Sequence, residues 1–116
     1  MGKILVVNND IDTMDLLKSW FERKNFEVKY TSDADEVPDL VKQFYPDVVL
    51  VDVLQSKAAE QLKSDRLTKQ IPVILMMGYT TSKQVTKETT IDDVIEKPFD
   101  LKLLEKKIER FLKSTG

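Results

Sequence analysis

The chain holds 116 residues, 41% hydrophobic and 33% charged, with a formal net charge of −2, a composition that suits one compact domain and is too apolar for a disordered segment. It contains no cysteine and no histidine, which excludes a disulfide framework, the common zinc sites, a thiol nucleophile and the usual general base. No apolar run approaches the ~20 residues of a membrane span, Met1-Gly2-Lys3-Ile4 enters a strand without a signal-peptide pattern, and a cytoplasmic protein is expected.

Lys3 to Val7 is a short, nearly continuous apolar run, the pattern of a strand buried on both faces. Asp10 or Asp12 suits the cap of a helix reaching Lys24, with Met14, Leu17 and Phe21 on its apolar stripe and Leu16 and Trp20 widening it. Asn25 suits a left-handed end to that helix. Glu27 to Thr31 alternates as a second strand. Asp33 to Glu36 opens a second helix, in which Pro38 fits only the first turn. Val37, Leu40, Val41 and Phe44 form its apolar face, and Tyr45-Pro46-Asp47 stops it. The third strand ends at Asp52, and a shorter helix around Ala58 to Ser64 turns Ala58, Ala59 and Leu62 inward. Ile71 to Met77 reads as the fourth strand and Ile91 to Glu96 as the fifth. Between them, the threonine-rich stretch Thr80 to Thr90 is the weakest helix signal in the chain. Asp100 caps a last helix with the stripe Leu101, Leu104, Ile108 and Phe111 or Leu112. Its Lys102, Lys106, Lys107, Arg110 and Lys113 are interspersed with Glu105 and Glu109, which reads as a solvated helix face rather than a nucleic-acid footprint.

Strands alternating with helices imply right-handed parallel crossovers and a three-layer α/β sandwich. Ligands of such sheets bind beyond the carboxyl ends of the strands, and polar residues stand there: Asn8-Asn9-Asp10, Asp52 and Lys97. The pieces Pro46-Asp47-Val48-Val49-Leu50-Val51-Asp52, Ile71-Pro72-Val73-Ile74-Leu75-Met76 and Lys97-Pro98-Phe99-Asp100, in this order and at these spacings, carry a resemblance. Over residues 1–116, as a single receiver-like domain, the chain resembles the receiver domain of bacterial two-component response regulators. The resemblance implies a flavodoxin-like, doubly wound fold with a five-stranded parallel sheet in the order 2-1-3-4-5. It also implies a phosphorelay signalling module rather than an enzyme, partnered by a sensor histidine kinase or another signalling protein. Neither nucleic acid nor membrane is an expected partner of this domain. Receivers of this kind pair through the face of the fourth helix, fifth strand and fifth helix, so a weak homodimer there is expected, bridged by Asp100, Lys102, Glu105, Lys106 and Glu109.

Asp52 matches the phosphoacceptor, against the plainer role of a helix-capping Asp beyond a strand. Lys97 matches the lysine that pairs with a phosphoryl oxygen, and the resemblance implies a cis bond between Lys97 and Pro98. Magnesium is the implied cofactor, with Asn9, Asp52 and the Leu54 backbone carbonyl as ligands and Asn8 acting through water. Here the chain departs from the family. Asn8 and Asn9 stand where an acidic pair is usual, so the carboxylates available to the metal are reduced to Asp52, and weak or absent magnesium binding is expected. Asp10 is better placed to cap the first helix than to compensate. Met77 occupies the position of the switch hydroxyl and is expected to fill apolar space. Val94 replaces a switch aromatic and reads as a core valine. The segment after Asp52 is short, with 20 positions from Asp52 to Pro72, and Val53-Leu54-Gln55-Ser56 lacks the family's Met-Pro element.

A flavin- or nucleotide-binding protein would share the sheet, yet Gly2, Gly78 and Gly116 are the only glycines, and no phosphate-cradling glycine motif exists. A hydrolase built on a histidine-activated nucleophile is excluded by the missing histidine. The expected function is a receiver that is poorly phosphorylated or phosphorylation-independent; the alternative is an ordinary receiver taking phosphate from a histidine kinase at Asp52.

Overall fold

Ile4, Leu5, Val6 and Val7 are all buried, as a strand covered on both faces requires. The computed structural model describes residues 2–77, 91–97 and 100–114. Its strands are β1 (Lys3–Val7), β2 (Glu27–Thr31), β3 (Val48–Asp52), β4 (Val73–Met77) and β5 (Asp93–Glu96), all parallel, in the order β2-β1-β3-β4-β5. The described helices are α1 (Ile11–Arg23), α2 (Val37–Phe44), α3 (Ser56–Ser64) and a C-terminal helix, Leu101–Ser114. The expected strand order is therefore observed.

The period of two along each strand divides the core. Ile4, Val6, Leu50, Ile74 and Met76 lie on one face, under Met14, Leu17 and Phe21 of α1 and Leu104 and Ile108 of the C-terminal helix. Leu5, Val7, Val49, Val51, Leu75 and Met77 lie on the other, under Val37 and Val41 of α2 and Ala58, Ala59 and Leu62 of α3. Each fully buried side chain of this size contributes about 1.5–3 kcal/mol relative to exposure.

Local chemistry sets the element ends. The Asp10 side chain accepts from Asp12 N and starts α1, and Asn25 follows its end at φ 71°. Asp33 caps a short 3-10 turn, Ala34–Glu36, so α2 itself begins only at Val37 rather than at the expected acidic run. β4 starts at Val73, later than expected, because Pro72 has no N–H for the ladder; its carbonyl still accepts from Val49 N at 2.9 Å. β5 likewise begins at Asp93. Leu16, expected to widen the buried stripe of α1, is 49% exposed, and Val94 is only partly buried on the edge strand β5. The expected helix at Thr80 to Thr90 and the Lys97–Pro98 bond lie outside the described residues.

Candidate functional site at the carboxyl ends of the strands

Parallel register brings the ends of β1, β3 and β5 to one edge. Val7 pairs with Val51, Asp52 with Met76, and Met77 with Glu96, so the residues that follow converge. Asn8 N donates to Thr31 O at 3.0 Å, and Lys97 N to Met77 O at 2.8 Å. Each bond extends the ladder one residue past the strand and fixes the backbone from which a candidate side chain leaves.

Asp52 is 4% exposed. Its Oδ2 lies 3.0 Å from Lys97 Nζ, and its Oδ1 accepts from Leu54 N at 2.8 Å, capping a short 3-10 turn, Val53–Gln55. The carboxylate thus fills the capping role as well as facing Lys97. An ammonium and an N–H satisfy a nearly buried anion that would otherwise bear a large desolvation cost.

Asn8 has no exposed surface. Its Oδ1 accepts from Asp10 N at 2.7 Å, and its Nδ2 is buried with no hydrogen-bond partner among the described residues. Asn9 and Asp10 are exposed. Both Asp10 oxygens are engaged in the helix cap, Oδ1 by Asp12 N at 3.2 Å and Oδ2 by Thr13 Oγ1 at 2.7 Å. The Thr13 hydroxyl, joined by the backbone N–H groups of Asp12 and Thr13 and the charge of Lys97, outweighs desolvation and holds the Asp10 carboxyl below its ordinary value. Met77 is fully buried with Leu75 and Val73 on the face under α2 and α3, so its thioether packs in the core. Leu54 is 80% exposed beside Asp52.

Gln55 escaped the sequence reading. Its Nε2 donates to Ser32 O at 2.6 Å, tying the turn after Asp52 to the loop after β2. Within Val53-Leu54-Gln55-Ser56 nothing marks a residue that bonds across two loops. For a hard cation, the side-chain oxygens near the strand ends are those of the Asp52 carboxylate, the Asn8 and Asn9 amides and the Asp10 carboxylate, the last engaged in its helix cap. Among the described residues, no three Asp or Glu side chains gather as a metal-ligand group.

Residues 4–109 match the response regulator receiver domain family. The chain belongs to that family. CpxR, a transcriptional regulatory protein of Escherichia coli K12, is 32% identical to this receiver over 117 residues, covering 97% of this chain and 50% of CpxR. RpaA, a DNA-binding master transcriptional regulator of Synechocystis, is 25% identical, covering 99% of this chain and 51% of its own length. The receiver thus spans about half the length of the curated relatives it matches. Among solved structures, the receiver domain of a Syntrophus aciditrophicus signal transduction histidine kinase superposes with a TM-score of 0.88 at 25% identity, covering 98% of this chain and 92% of that one. The receiver domain of a Pseudomonas aeruginosa sensor histidine kinase, which carries a magnesium ion in its active-site cleft, has a TM-score of 0.82 at 17% identity, covering 97% of this chain and 98% of that one; it shares the fold.

Proposed function

We propose that this receiver is a poorly phosphorylated or phosphorylation-independent interaction module of two-component signalling. In this reading residues 1–116 act as one domain in the cytoplasm, Asp52 keeps the phosphoacceptor position, and Lys97 is its charge partner. The partner is a sensor histidine kinase or another signalling protein. The observation that carries the proposal is the charge at the strand ends. Asn8 and Asn9 are neutral, Asp10 is committed to its cap, and the Asp52 oxygens are met by Lys97 Nζ and Leu54 N. Magnesium demands near-octahedral oxygen ligands and sheds water reluctantly, and this donor set is a poor fit for it.

The ordinary phosphorylatable receiver is the second reading, favoured by the Asp52–Lys97 contact at 3.0 Å. Magnesium separates the two. A cation that binds only the folded state raises stability with its concentration. Millimolar magnesium should leave the melting temperature of the wild type unchanged, and a rise of several degrees would favour the ordinary receiver. A homodimer through the face of the fourth helix, fifth strand and fifth helix belongs to the proposal only as a weak, salt-screened contact. Glu105, expected to bridge two copies, also accepts from Trp20 Nε1 at 3.0 Å within the chain, through Oε1.

A further inference from the structure

We propose that the groove between α2 and the turn after α3 is a docking surface for an acidic, apolar segment of a partner protein. Two cavities meet there and share Leu67 and Thr68 as walls. The larger, about 930 Å³, runs along the end of α3, and the smaller, about 130 Å³, opens between α2 and the turn. Tyr45 and Leu67, both lining the smaller cavity, are 74% and 69% exposed, whereas most large apolar side chains of the chain are buried. The groove lies near the amino-terminal starts of β3 and β4, at the end of the sheet away from Asp52.

Three features go beyond exposure. The turn is rigid: Thr68 N and Lys69 N donate to Asp65 O at 3.1 and 2.9 Å, Leu67 N to Asp65 Oδ1 at 2.9 Å, and Thr68 Oγ1 to Leu62 O at 2.7 Å. Leu67 is therefore held outward on a fixed frame, which lowers the entropy lost on binding. Tyr45 ends α2 in the left-handed region at φ 53°. Glycine or asparagine meets that backbone with less strain, so the fold does not account for an exposed aromatic ring there. The third feature is charge. Lys42 lines the smaller cavity and Arg66 the larger, and neither has an ion-pair or hydrogen-bond partner among the described residues. Among the described residues, the one acidic residue lining the walls, Asp65, is occupied within its own turn.

This net positive rim sits on a chain of net charge −2, and long basic side chains pack their stems on apolar surface while pairing with carboxylates at their tips. A second copy fits less well, because a two-fold contact would set the basic rim of Lys42 and Arg66 against the same basic rim of the other copy. The occupant is therefore a segment bearing carboxylates around one or two large apolar side chains.

The test uses isotope-labelled protein and two blocked peptides of equal apolar content, Glu-Leu-Glu-Glu-Leu-Phe-Glu and Lys-Leu-Lys-Lys-Leu-Phe-Lys. The acidic peptide should give saturable, sub-millimolar amide shifts at Lys42, Tyr45 and Arg66 to Lys69, and the basic peptide none. Tyr45→Asn should raise the melting temperature while weakening the acidic peptide by about tenfold or more, a combination that a structural role for Tyr45 does not produce. Lys42→Glu with Arg66→Glu should reverse the peptide preference. Equal binding of both peptides, shifts centred on the Asp52 end, no saturable shift, or broadening of these amides with protein concentration alone would each overturn the proposal.

Discussion

Asn8 gives its side-chain oxygen to Asp10 N and leaves Nδ2 without an acceptor among the described residues, in a position with no exposed surface. A buried donor left unsatisfied costs about 1–3 kcal/mol. An aspartate would remove that donor and keep the accepting oxygen, at the expense of a second buried carboxylate near Asp52, where desolvation and like-charge repulsion oppose folding. Asn8→Asp with Asn9→Asp should therefore lower the melting temperature in metal-free buffer and recover it in millimolar magnesium. A double variant as stable as wild type without metal would contradict this. Asp10 makes a separate prediction. Its folded-state value is lowered, first by the Thr13 hydroxyl, so its contribution to stability is present above the unfolded value and is lost as pH falls through the folded one. The melting-temperature gap between wild type and Asp10→Ala should hold near neutrality and close on acidification below pH ~4. A gap that widens in acid would show that a different group titrates.

At the scale of elements, Lys63 joins the turn that follows its own helix to a loop far along the chain. Its Nζ reaches Lys69 O at 3.0 Å, Ile71 O at 2.8 Å and Asp92 Oδ2 at 2.6 Å, fastening α3 to the approaches of β4 and β5. The Lys63 side chain is 11% exposed and that of Asp92 35%, so the pair is screened less than a surface bridge but is not fully buried. Lys63→Met should cost about 2 kcal/mol, seen as a lower urea midpoint at unchanged slope; an unchanged midpoint would mean the link is replaced by solvent. Nothing in the local pattern of α3 announces this lysine, because periodicity reports which face is buried and not what a polar side chain reaches. Caps were legible for the opposite reason. Asp10 and Asp100 act within a few residues of themselves, and Asn25 takes the left-handed backbone its side chain tolerates. Leu16 was misplaced because α1 presents a narrower stripe to the sheet than its run of apolar residues suggests.

Over the whole molecule, the strand order was legible only through the resemblance to receiver domains, because alternating periodicity and right-handed crossovers give parallel strands and leave their order open. Asp52 and Lys97 were legible through the family motifs that carry them at two strand ends, and the register across β4 then brings those ends together. Gln55 and the Lys42–Tyr45–Leu67 groove were not, because they depend on loop geometry and on exposed side chains that carry no periodic signal. The proposed function turns on whether the charge missing at Asn8 and Asn9 silences Asp52. Intact mass after incubation with acetyl phosphate and magnesium tests this most directly. Wild type should gain little phosphoryl adduct, while Asn8→Asp with Asn9→Asp should gain it and lose it again when Asp52→Ala is added. Wild type acquiring the adduct at Asp52 as readily as the double variant would contradict the account and restore the ordinary receiver.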